Sequence, residues 1–425
     1  MIKIVICLVL FSTSLSLSSP YAHSTRIINT TLTFPKWTAP RGDPSLPLGG
    51  WKRVPEATYV NIYNATADFG TYNHAAMITF GSEEKDPQPL FTISWKNSPK
   101  DEDSPGQRIV YSQSYDGIVW TATNTGNNIL FPNMSTTSNP AALFAGPFIW
   151  LNGHLYASAS PKQFCLFPDQ YQDVLLLRRV FTNSTGSFGP VFWATNPPPS
   201  QFSEASMING VLNLTEVDSI TKEDAALLTP LADETPCIVP MPMNTTTKCE
   251  ACSGGCQLWT DAGKVVNERT HYTIPGSPNG QDSYNDVILY RTSNNILTAS
   301  VRSAPGQGSW SSPSQDTNIP NDNSNINTGP LPDGRRYLLS NAMPYTIRDP
   351  LTVALTTDGF DWNTCAVAMT CTDLPGDGCG PRYPGKYKNP GPSYPQGVVA
   401  FDSLFVVATN NKENVWVGKL PLSQL

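Results

Sequence analysis

A chain of 425 residues has room for one large core or two to three ordinary domains, and with 39% apolar and 10% aromatic residues it is not disordered throughout. Only 14% of residues are charged and 39 are proline, a poor composition for long helices and a good one for many strands and turns. A formal net charge of −7 leaves no electrostatic footprint for a nucleic-acid partner.

The chain opens with one early lysine, the apolar run Ile4 to Phe11 and small residues thereafter. This reads as a secretory signal peptide over 1–24, with a single domain expected over 25–425. No later stretch reaches the length of a membrane span, so a secreted, extracellular product is expected. Six Asn-x-Ser/Thr sequons follow, at Asn29, Asn64, Asn133, Asn183, Asn213 and Asn244, which behind a signal peptide suggest N-glycosylation.

Short apolar and β-branched runs then recur between Gly, Pro, Asn and Asp clusters, and each predicts a strand. In chain order they are Ala75–Phe80, Leu90–Trp95, Arg108–Ser112, Phe148–Leu151, Val174–Phe181, Val287–Tyr290, Ile296–Val301, Tyr337–Ser340, Leu351–Thr356, Gly397–Ala400, Leu404–Ala408 and Val415–Lys419. Ser219–Leu231 has the feel of a helix. Many short strands without a helical layer point to a propeller or stacked sandwiches.

An internal repeat favours the propeller. Ser114-Tyr-Asp116-Gly117-Ile-Val-Trp120 matches Thr356-Thr-Asp358-Gly359-Phe-Asp-Trp362, each after a strand, with a degraded third copy over Ser303–Trp310. The pattern suits a turn in which Asp accepts backbone N–H groups, Gly takes positive φ and Trp packs back beneath. Eight cysteines remain beyond the leader: Cys165, Cys237, Cys249, Cys252, Cys256, Cys365, Cys371 and Cys379. Even parity in an oxidising compartment favours disulfides, among them local pairings such as Cys371–Cys379 or one within 237–256. No cofactor and no metal are expected.

These turns resemble the Asp-box of sialidases and their relatives, and the resemblance implies an all-β, six-bladed β-propeller of four-stranded antiparallel blades. Ile288-Leu-Tyr-Arg291 resembles the strand ending that carries one arginine of the family's carboxylate-binding triad. Arg348-Asp-Pro-Leu-Thr-Val-Ala-Leu355, just before the second Asp-box, resembles the stretch with the last triad arginine, and Gly391-Pro-Ser-Tyr394-Pro-Gln396 the stretch with the catalytic tyrosine. The strand entry that would carry the first triad arginine reads Tyr72-Asn73-His74-Ala75, and no Glu stands near Gln281-Asp282 or Asp286. With Glu102-Asp103-Ser-Pro-Gly-Gln107 before the first box, the chain is more similar to a divergent, sialidase-like branch.

The resemblance implies a secreted glycoside hydrolase acting on terminal acidic sugars of a glycan or glycoconjugate, or a lectin-like propeller that binds without turnover. An anomeric carboxylate is best gripped by convergent guanidinium groups. A neutral tyrosine is a better nucleophile than a carboxylate toward that anionic centre. On this reading Tyr394 attacks, Asp282 or Asp286 takes its proton, and Glu102 or Asp103 protonates the leaving oxygen. Arg291 and Arg348 hold the substrate carboxylate, with His74, Asn73 and Lys96 beside them.

Overall fold

The alternation of apolar and polar side chains along each strand decides how the sheets pack. In a computed structural model the structure describes residues 33–82, 88–102, 104–123, 128–134, 141–151, 153–163, 176–181, 186–193, 208–211, 259–261, 264–274, 285–292, 294–302, 311, 315–343 and 347–425. Among these residues there are five sheets of four or five strands and one short parallel pair.

Blade I runs Tyr72–Gly81, Leu90–Ser98, Arg108–Ser114 and Ile129–Phe131. Blade II runs Ala141–Leu151, His154–Gln163, Leu176–Val180 and Phe188–Trp193, with Ile208–Val211 added in parallel at its edge. Blade III runs Trp259–Asp261, Lys264–Ile274, Asn285–Thr292, Ile296–Arg302 and Gln315–Pro320. Blade IV runs Asn327–Pro330, Arg336–Ser340, Leu351–Thr356 and Thr364–Met369. The closing blade takes Pro392–Ala400, Ser403–Asn410 and Asn414–Pro421 from the end of the chain and Thr58–Tyr63 from its beginning.

Odd and even residues of one strand feed different cores, as the period of two requires. In blade IV, Leu338 and Ala354 pack with Val287, Leu289 and Leu297 of blade III, whereas Leu339, Val353 and Leu355 pack with Leu404, Val406 and Ala408 of the closing blade. There the next residues, Phe405 and Val407, join Phe91, Ile93 and Trp95 of blade I. Ile109 and Tyr111 of blade I then pack with Leu143, Leu155 and Leu176 of blade II. The blades thus stack face to face in the sequence II, I, closing, IV, III, which is propeller packing, and Thr33–Leu425 forms one compact unit.

Each expected strand corresponds to an observed one, most of them longer by one to several residues. Six blades are expected from the sequence and five are seen among the described residues, with 212–258, between blades II and III in the chain, outside them. Residues 1–32, with the expected signal peptide and Asn29, also lie outside them, as do Ser219–Leu231, the third repeat copy and the sequons Asn183, Asn213 and Asn244.

Both complete repeat copies close the turn with the same Asp, hydroxyl and glycine bonds, while only Trp120, and not Trp362, donates its indole N–H to the turn glycine's carbonyl. Asp116 Oδ1 accepts from the N–H groups of Ile118 and Val119 at 2.8 Å and from Ser114 Oγ at 2.9 Å. Asp358 Oδ1 accepts from Phe360 and Asp361 at 2.8 Å and from Thr356 Oγ1 at 2.9 Å. Gly117 and Gly359 have φ of 71° and 78°. A side chain there would also strike the next blade, since a Cβ on Gly117 would lie 2.4 Å from Phe405 and one on Gly359 2.7 Å from Ile274. The Asp-box is therefore an inter-blade joint as well as a turn.

Cys371 and Cys379 form a disulfide. Cys365, expected among the disulfide cysteines, is instead a free thiol. Its strand, Thr364–Met369, carries it against the core shared by blades III and IV, and burial pushes the thiol up to about 12. Cys165, Cys237, Cys249, Cys252 and Cys256 lie outside the described residues.

Candidate functional site

Tyr394 sits where the closing blade's first strand is out of register with its neighbour, between Ser393 and Gln396. Its backbone holds φ = 56°, a region costly for a residue with a Cβ, and its N–H meets Ser324 Oγ at 3.4 Å. Irregular strands of this kind re-aim a side chain, and here the ring turns into a buried pocket, 8% exposed. Blade I repeats the device: its first strand shifts register after His74, and Ala75 has φ = 52°.

Three cations and one histidine gather on the Tyr394 ring. Arg291 Nη1 donates to Tyr394 Oη, and Arg291 Nε donates to Asn323 Oδ1 at 2.6 Å. The Arg348 guanidinium lies 5.1 Å from the ring centre and Lys412 Nζ 5.9 Å. Arg348 Nη2 donates to the Asn323 carbonyl at 2.9 Å, while Nη1 is buried without a hydrogen-bond partner. Lys96 and Lys412 share Glu102, at 3.2 and 2.7 Å.

His74 packs with its ring centre 3.9 Å from that of Tyr394 and shares a 3.0 Å hydrogen bond between Nδ1 and Thr409 Oγ1. It is fully buried, and its pKa is pushed well below the usual range by burial first and then by Lys412, Lys96, Arg348 and Arg291. The imidazole is therefore neutral at physiological pH, an uncharged wall of a cationic pocket.

Glu102 has a different character from the one expected of it. Burial works to raise its carboxyl, but Lys96 and Lys412 outweigh that and hold it at about 2. An acid so placed stays ionised and is unsuited to protonating a leaving group. Its neighbour Lys412 is lowered to about 8, by burial first.

Asn73 also differs from expectation. Its Oδ1 accepts from Trp95 Nε1 at 3.0 Å and Asn97 Nδ2 at 2.8 Å, and its Nδ2 donates to the Glu413 carbonyl at 2.8 Å. Its oxygen ties neighbouring strands of blade I together and its amide nitrogen reaches the closing blade, so its side chain is occupied as a support. Asp286 is not beside Tyr394 either. It lies five residues before Arg291 on an extended strand, about 16 Å away, and binds Thr273 Oγ1 at 2.7 Å and His271 Nε2 at 3.3 Å. Asp103 and Asp282 lie outside the described residues.

Three features escaped the sequence. Lys412 comes from the hairpin joining the last two strands, where Asn410, Asn411, Lys412, Glu413 and Asn414 are all buried although every one is polar. A polar run between two apolar strands reads as a solvated turn, and only its tight coupling to blade I turns it inward. The loop Asn321–Ser324 is the second: it bonds Arg291 and Arg348 through Asn323 and Tyr394 through Ser324. The third is its Asp322, 7% exposed, with Oδ2 lacking a hydrogen-bond partner. A clustering of Asn, Asp and Ser gave only a loop signal for it.

Comparison with known proteins is consistent with this architecture. The family model for the BNR repeat-like domain matches residues 165–407. No match is found among curated proteins. Among solved structures, a sialidase is 19% identical with a TM-score of 0.63, covering 92% of this chain and 35% of that one, so the chain spans about a third of that sialidase's length. A Trypanosoma rangeli sialidase in complex with sialic acid is 11% identical over 91% of this chain and 60% of that one, with a TM-score of 0.42. An α-L-arabinofuranosidase from Podospora anserina in complex with cellotriose is 10% identical over 88% of this chain and 98% of that one, with a TM-score of 0.38. With more than half of the chain matched, with two Asp-box turns closed by the same carboxylate, hydroxyl and glycine bonds and with blades packed face to face, the chain belongs to the BNR repeat-like family and has the sialidase-like propeller fold.

Proposed function

We propose that this propeller is a secreted exo-glycoside hydrolase that removes terminal acidic sugars, of the sialic acid type, from glycans. The observation that carries the reading is the buried Tyr394 hydroxyl receiving a hydrogen bond from Arg291 among Arg348, Lys96 and Lys412. A pocket whose cations outnumber its ionised carboxylate selects an anionic ligand. Two guanidinium groups on one side suit a carboxylate.

In this reading the Tyr394 oxygen attacks the anomeric carbon, the glycosidic bond breaks, and the leaving oxygen takes a proton. Water then releases the sugar from the tyrosine. Negative charge on the Tyr394 oxygen is met by the Arg291 guanidinium already bonded to it. Asp103 and Asp282 are the proton carriers in the proposal, since Glu102 is committed to Lys96 and Lys412.

A secreted, glycosylated state is supported by the Cys371–Cys379 disulfide and by the exposure of Asn64 and Asn133. Among the described residues, no helix is long and apolar enough to cross a membrane.

One observation favours a binding-only propeller: Glu102, expected as the acid, is held ionised between Lys96 and Lys412. Hydrolysis of a fluorogenic sialoside panel by wild type and Tyr394→Phe separates the readings. The expected result is turnover by wild type and a fall in kcat on the order of a thousandfold or more in the variant. Binding of the same sugars without turnover, unchanged by Tyr394→Phe, would establish the lectin instead.

A further inference from the structure

Two buried atoms, on residues close enough for the charge of one to act on the other, have no hydrogen-bond partner: Asp322 Oδ2 and Arg348 Nη1, the latter on the guanidinium that lies over the Tyr394 ring. Leaving either unsatisfied costs free energy that a bound group would return. Their backbones hold them together. Arg348 Nη2 is fixed on the carbonyl of Asn323, the residue after Asp322. The Asp322 N–H is fixed on the Asn341 carbonyl at 2.7 Å, and Asn341 Nδ2 in turn donates to the Arg348 carbonyl at 2.8 Å. The pair is thus locked at the backbone and open at the side chains, one residue from the Asn323 that also holds Arg291.

We propose that Asp322 and Arg348 act together as a proton-dependent clamp for a ligand carboxylate, with Asp322 donating from its neutral carboxyl and Arg348 from Nη1. The clamp rests on the acidic-sugar reading above and deepens it by naming what controls binding. Ionised, Asp322 would oppose the ligand's charge and claim Arg348 for itself. Neutral, it adds a donor and leaves the guanidinium to the ligand.

Burial raises the Asp322 carboxyl to about 7, with Arg348 acting in the opposite direction. Arg348 is the charged group that bears on Asp322. Arg291 reaches the adjoining Asn323, and Tyr394 adjoins Ser324. His74, Lys96, Lys412 and Glu102 reach the pocket from blade I and the closing blade; His74 lies well below its usual value and Glu102 near 2, so neither changes charge between pH 5.5 and 7.5, whereas Lys412, near 8, starts to lose its charge at the top of that window and does so alike in wild type and Asp322→Asn.

The test is calorimetric titration of free sialic acid and its methyl ester into wild type and Asp322→Asn, whose amide keeps a donor but never ionises. If only the neutral form binds, wild-type affinity for the free acid falls about fourfold from pH 5.5 to 7.5, while Asp322→Asn stays within about twofold and the ester shows no fall in either. Equal falls in both proteins, or a flat wild-type profile, would overturn the clamp. Binding of the free acid without turnover of any sialoside would sink the hydrolase reading and leave the clamp intact. If the acid binds to neither protein at either pH, the clamp falls with the substrate class.

A second measurement needs no ligand. A carboxyl whose pKa rises on folding destabilises the fold progressively as pH rises from the unfolded value toward the folded one. The melting-temperature advantage of Asp322→Asn over wild type therefore widens from pH 4 to 7 and then levels. Parallel melting curves would overturn the proposal.

Discussion

Glu102 shows how a single carboxylate can set the charge of a whole pocket. It is the counter-ion that lets Lys96 and Lys412, each about 3% exposed, remain charged against the Tyr72 and Tyr394 rings. Removing one partner of a buried ion pair leaves the other uncompensated, at a cost on the order of 3 kcal/mol. Glu102→Gln therefore lowers the urea midpoint at pH 7 markedly. The pH dependence has a definite sign. A carboxyl depressed from 4.5 to about 2 on folding stabilises fully above 4.5, and that stabilisation is lost as pH falls toward 2. The gap between wild type and Glu102→Gln should narrow over that window in urea denaturation, and a constant gap would show that the ion pairs are not its source. At this scale the sequence was partly legible. Motif order points to Tyr394, Arg291 and Arg348, and both arginines lie over the Tyr394 ring, with His74 packed on it and Lys96 joined to Lys412 through Glu102. It does not point to Lys412 and Asp322, because a turn and a loop send side chains inward only where backbone irregularities elsewhere demand it.

At the scale of the element, the Asp-box was the most legible feature because all its chemistry is local. One carboxylate oxygen, one hydroxyl and one positive-φ glycine close the turn within seven residues, and the two copies agree to a tenth of an ångström or so. Asp358→Ala leaves two backbone N–H groups and the Thr356 hydroxyl without that acceptor and should cost about 1–3 kcal/mol. Asp358→Asn keeps an acceptor at the same atom and should cost less than half as much, as read by chemical denaturation. Equal losses would show that charge, rather than hydrogen bonding, closes the turn. What the motif does not reveal is the reach of its glycine to the next blade, since Ile274 lies 85 residues before Gly359 and Phe405 lies 288 residues after Gly117. The strand Thr58–Tyr63 escaped sequence reading for a related reason. It is short and mixed in character, and its partner, Asn414–Pro421, lies at the far end of the chain.

That pairing governs the whole molecule. Thr58–Tyr63 completes the closing blade, and its Ile62 and Tyr63 enter the core between that blade and blade I. The pocket straddles the same seam, with His74 and Lys96 on blade I and Tyr394 and Lys412 on the closing blade. Loosening the seam should therefore weaken ligand binding as well as stability, whereas an equal injury elsewhere should affect stability alone. Ile62→Ala removes a buried side chain at the seam, and Leu143→Ala removes one from the core between blades I and II. Each should cost about 2–5 kcal/mol. Of the two, only Ile62→Ala should weaken binding of a carboxylated sugar, by severalfold, when both are titrated well below their melting temperatures. If both variants lose affinity in proportion to stability, the pocket answers to the global fold and not to ring closure. If neither does, the groups of blade I and the closing blade are held by their local bonds alone, chief among them the bridge from Glu102 to Lys96 and Lys412.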